Sequence, residues 1–251
     1  MAGGYREHLA VSGELKDLAI ADAVLTVAFA LIFTGGIGGI SHGLYGFVYN
    51  LAYFIPIAFV AVTLSFVLHE YMHKIVAQRF GAIAGFKKWD LGIAITLASS
   101  LLGFLIGLPG ATMIYASRFT QEEEGYVSLA GPLTNFVVFL VFFAAFYLLY
   151  HVPPYQALNQ INTATSYLGL LIIITMFISV WLAFFNMLPM YPLDGSKVLR
   201  WNKAVYAATL VVIFAFLYYI GGVQILGSLV YLLIIALVFY FMFSGMRIFR
   251  M

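Results

Sequence analysis

The sequence predicts an all-α membrane protein of about six transmembrane helices with a re-entrant element between spans 2 and 3. Three observations predict this. Hydrophobic residues make up 64% of the 251 residues, charged residues only 9%, and mean hydropathy is +1.02; a soluble domain carries about 25% charged residues. The apolar runs are long and uninterrupted rather than alternating at period 2, which argues for helices and against a β-barrel. All twelve Lys and Arg residues fall in a few clusters separated by connections without any.

Apolar segments of spanning length run at 18–37, 51–77, 126–150, 165–188, 204–220 and 225–246. The segment 91–108 is also long enough, but it is rich in Gly, Ser and Thr and ends in Leu108-Pro109-Gly110. Charge decides its path. The positive residues lie at Arg6 and Lys16, from Lys74 to Lys88, at Arg118, from Lys197 to Lys203, and at Arg247 and Arg250, whereas 38–50, 151–164 and 221–224 hold none. If 91–108 dips in and returns, every positive residue lies on one side, the cytoplasmic one. A single crossing would split the clusters, so 91–117 is expected to be re-entrant. Both termini are then cytoplasmic, as in a multi-pass protein of a prokaryotic plasma membrane.

No Pro/Ser-rich linker, repeat or acidic tail marks a second domain, so residues 1–251 are expected to form one polytopic domain. The first 17 residues lack an apolar leader core, and no cleaved signal peptide is expected. A net charge of +2 carries no nucleic-acid signal. Cysteine is absent, so any metal is held by His, Asp or Glu.

Inside the second apolar run stands His69-Glu70-Tyr71-Met72-His73. Ionisable groups at membrane depth are costly and mark function by default. Two His at i and i+4 share a helix face with Glu70 beside them, which is what a zinc hydrolase needs: two imidazole ligands and a carboxylate to deprotonate water. Glu70 lies nine residues before Arg79, about 14 Å from the helix's cytoplasmic end.

Elimination supplies a third ligand. His8 is in a polar segment, and His42 and His151 fall on the opposite side; Glu14, Asp17, Asp90 and Glu122–Glu124 lie in interfacial stretches and are expected to be solvated. Asp22 reads as a helix-start group. Asp194 remains, in a Pro-broken turn of the fourth span that Gly195 lets fold back into the bundle. Asn186 is either a satisfied core amide or a donor to a developing oxyanion. Asn135 follows Pro132, which reads as a helix-start residue, and is taken as mainly structural. The glycines from Gly35 to Gly46 are expected to form a flexible external loop.

The HEYMH motif, the Gly131-Pro132…Asn135 segment and Asn186…Pro189…Pro192-Leu193-Asp194-Gly195, in that order, resemble the site-2 protease family of intramembrane zinc metalloproteases. Ser196 departs from the family, which often repeats Gly there. The resemblance implies one zinc per chain on His69, His73 and Asp194, Glu70 as catalytic base and a substrate-binding role for Asn186. It also implies a membrane-embedded strand at 110–116, making the re-entrant element partly β, and a transmembrane protein as substrate. A zinc-binding transporter is the competing reading, but no second ligand cluster lies along a path.

Overall fold

The computed structural model describes residues 13–116, 118–151 and 167–221, together with Gly227 and Ile234. Helix α1 (Glu14–Phe33) leads through a 3-10 turn (Gly36–His42), bent by 45° from it, into α2 (Leu44–Val62). One π-helical turn (Thr63–Val67) then joins α2 to α3 (Leu68–Arg79) without a break, giving a rod of 36 residues. Strand β1 (Ile83–Lys88), α4 (Asp90–Leu101) and β2 (Gly110–Tyr115) follow. The remaining elements are α5 (Gln121–Tyr150), α6 (Tyr167–Asn186), α7 (Asp194–Trp201) and α8 (Lys203–Gly221).

Among the described residues four helices are long and apolar enough to cross a membrane, or five if α1 and the 3-10 turn form one bent span. The expected span at 225–246 lies outside the described residues. Between the second and third long helices the chain makes a short helix flanked by two strands, β1 pairing antiparallel with β2. The strand expected at 110–116 is therefore β2; its partner was unexpected, because IAGFKK carries two lysines and resembles an interfacial loop.

Several sequence expectations need correction. The glycine-rich stretch forms the 3-10 turn rather than a flexible loop, and Gly36 explains one glycine: a Cβ there would lie 2.5 Å from the Leu101 carbonyl. Pro132 sits inside α5, not at its start; neighbouring helices tolerate such a residue in apolar surroundings. The helix begins instead with a capping box, Thr120 accepting from the Glu123 amide and Glu123 from the Thr120 amide. Glu124 pairs with Arg200 of α7. That acidic run is thus a helix start whose charge suits the positive dipole end.

Glu14 and Asp17 are also not free. Glu14 takes Lys74 Nζ at 2.6 Å and the Phe86 amide at 3.3 Å, while Asp17 takes the Lys88 amide at 3.4 Å. The first turn of α1 thereby covers the outer edge of β1, and a covered edge cannot recruit another strand. Asp22 is the ninth helical residue of α1, 8% exposed, and accepts from Thr63 Oγ1 at 2.9 Å. It ties α1 to the π-turn that leads into His69.

Candidate metal centre

Helix α3 presents His69 and His73 one turn apart, 5% and 7% exposed, with Nε2 atoms 3.0 Å apart. The turn after α6 returns Asp194 to the same point, its Oδ2 3.5 Å from His69 Nε2 and 3.1 Å from His73 Nε2. Gly195 permits that return, since a Cβ there would lie 2.2 Å from the Met187 carbonyl. Among the described residues these three form the one group able to hold a metal. Tetrahedral ligands at about 2.0–2.2 Å from zinc stand roughly 3.3–3.6 Å apart; the separations of 3.0, 3.1 and 3.5 Å are slightly tighter and still let one ion reach all three atoms.

The face of α5 opposite completes the cradle. His73 Nδ1 meets the Val127 carbonyl at 2.7 Å, so this ring donates from Nδ1 and leaves Nε2 as a ligand. His69 Nδ1 lies 3.1 Å from the Asn135 amide nitrogen, while Asn135 Oδ1 is buried without a partner. Exchanging the two ends of the amide sets Oδ1 against His69 Nδ1–H and leaves His69 Nε2 free as a ligand. Between them, Gly131 leaves the space a metal needs: a Cβ there would lie 2.4 Å from His73 Nε2 and 2.6 Å from His69 Nε2. Val127, Gly131 and Asn135 are spaced i, i+4, i+8, one helix stripe. That spacing was the available signal, and reading Pro132 as a helix start hid it.

Glu70 stands beside the triad on a cavity of about 230 Å³, which Asn186, Thr112 and Lys197 also line. Its Oε2 accepts from the Thr112 amide at 2.8 Å and from Thr112 Oγ1 at 2.7 Å. Asn186 lies on the cavity wall, one amide hydrogen given to the Leu182 carbonyl at 3.0 Å. The structure thus gathers all five residues expected from the sequence around one cavity.

Residues 57–226 match the model of peptidase family M50. The chain belongs to that family. A candidate zinc metalloprotease of Methanocaldococcus jannaschii is 33% identical over 228 residues, covering 88% of this chain and 94% of the relative. A candidate zinc metalloprotease of Bacillus subtilis is 26% identical over 169 residues, 61% of this chain and 72% of that protein. A zinc metalloprotease of Methanocaldococcus jannaschii is 26% identical over 152 residues, 60% of this chain but 35% of that longer protein. No solved structure matches the chain. This M50 protein is a zinc metalloprotease, and its apolar helices make it a multi-pass membrane protein.

Proposed function

We propose that this chain is an intramembrane endopeptidase, hydrolysing peptide bonds in or near a transmembrane segment of membrane-protein substrates. The observation that carries it is a metal triad and a carboxylate on one cavity among membrane-length helices, bordered by strand β2, whose one strand partner among the described residues is β1. His69, His73 and Asp194 would hold the zinc, which when bound would supply Lewis acidity at the scissile carbonyl and a water activated near neutral pH. Glu70 is the base. With Oε2 engaged by Thr112, Oε1 takes the proton of the attacking water and returns it to the leaving amine as the C–N bond breaks. Asn186 offers its second amide hydrogen to the developing oxyanion.

A helical substrate has its carbonyls tied in its own hydrogen bonds and must unwind to be cut, and in lipid the freed groups need partners. Strand β2 meets that need. In the register Phe86 faces Thr112, and each turns its amide outward, to Glu14 and to Glu70 respectively. By the period of the ladder, the backbone of Gly110, Thr112 and Ile114 faces the cavity side and can take an added strand. The Lys and Arg distribution supports six spans, one polytopic domain over 1–251, cytoplasmic termini and a site nearer the cytoplasmic face.

The test is a purified single-span substrate co-reconstituted with the protein in liposomes, with the products mapped by mass spectrometry. Cleavage within the apolar segment is expected. Cleavage confined to the soluble flanks, or zinc flux without cleavage, would instead favour a different protease mode or a transporter.

A further inference from the structure

Thr112 carries more bonds to Glu70 than packing requires. Its amide reaches Oε2 at 2.8 Å, its hydroxyl reaches the same Oε2 at 2.7 Å, and the hydroxyl also lies 3.1 Å from the Glu70 main-chain carbonyl. These contacts bridge 42 residues of sequence and join the open strand edge to the helix of the metal ligands. We propose that Thr112 is a positioning residue that keeps Glu70 aimed while a substrate strand occupies β2. This rests on Glu70 being the base and β2 being the substrate seat.

An antiparallel strand added to β2 needs the outward amide hydrogens of that edge, and Thr112 N–H is one of them. In the structure this hydrogen is given to Glu70. Seating a substrate therefore withdraws a donor from the base at the moment it is required. The hydroxyl covers the loss. It has a single hydrogen and two acceptors within reach, Glu70 Oε2 and the Glu70 carbonyl. A rotation about its C–O bond keeps Oε2 held after the amide leaves, with no movement of the side chain. Any residue but proline at 112 supplies an amide hydrogen; a β-hydroxyl is what lets one residue serve substrate and base together. Displacement of a catalytic group by about 1 Å costs up to roughly 100-fold in rate, so the effect belongs in kcat rather than in binding.

The experiment compares Thr112→Val, Thr112→Ser and Glu70→Gln with wild type in the same liposomes, reading kcat, KM as substrate mole fraction, zinc per chain and the thermal midpoint. Thr112→Val is expected to lower kcat about 10- to 100-fold, with KM within about twofold of wild type, since the backbone edge is retained. Zinc content stays at the wild-type level, and Thr112→Ser restores most of the rate. Wild-type kcat in Thr112→Val beside an inactive Glu70→Gln overturns this inference and leaves the base in place. An active Glu70→Gln overturns both. A rise in KM alone, loss of zinc in Thr112→Val, or failure of Thr112→Ser to restore kcat each makes the role structural and overturns it as well.

Discussion

Glu70→Gln is expected to keep its zinc and lose peptide-bond cleavage, by about 10³-fold or more. Glutamine preserves the shape of the side chain and can still accept from Thr112 through its amide oxygen. It cannot take a proton from water. Glu70 is not one of the three atoms that meet within 4.8 Å of one another, so nothing in the ligand set changes. A loss of that size corresponds to about 4 kcal/mol of transition-state stabilisation, which is the scale of a general base rather than of a packing defect. Metal analysis beside a cleavage assay on the same preparation checks it; full cleavage by Glu70→Gln would remove the base assignment.

Gly131→Ala is expected to expel the metal without unfolding the protein. The added methyl would stand 2.4 Å from His73 Nε2 and 2.6 Å from His69 Nε2, in the space that an ion must fill. Neither imidazole can swing clear, because His73 is bound to the Val127 carbonyl and His69 to Asn135 on either side of the glycine. Alanine is the better helix former by about 1 kcal/mol, so the helix itself gains. Zinc per chain should fall at least about tenfold, in keeping with the sensitivity of metal sites to their surrounding shell, while helicity by circular dichroism is unchanged. Gly46→Ala is the control, because a Cβ there meets nothing within 4 Å. Full zinc occupancy in Gly131→Ala would mean that the ion sits elsewhere.

The parts of the site legible in the sequence were those whose chemistry is local or rare. His69, Glu70 and His73 share one helical turn, and three ionisable side chains in an apolar run are hard to overlook. Asp194 emerged because few other acids remained at the right depth. Partners brought in from far along the chain were not legible: Thr112 meets Glu70 across 42 residues, and Asn135 meets His69 across 66. Neither is charged, so neither stands out in an apolar sequence. Glu14 and Asp17 stand out by charge but were assigned to water; the structure uses them on the β1 edge, where backbone amides needed acceptors. Strand β1 was missed for a related reason. Its lysines mark an interface by composition, and only its pairing with β2 makes it a strand. The long helices were legible from hydropathy alone, though their ends shifted where caps rather than apolar residues set them, as at Thr120.

On the proposed function, two imidazoles and one carboxylate hold a single zinc ion. Zinc K-edge absorption spectroscopy on the purified protein, with Asp194→Ala beside it, checks that ligand set. Wild type should show about four nitrogen or oxygen neighbours at about 2.0–2.2 Å, with the multiple-scattering signature of two imidazoles, and Asp194→Ala should lose zinc or show a changed first shell. A spectrum with one or three imidazoles, or one identical in Asp194→Ala, would contradict it.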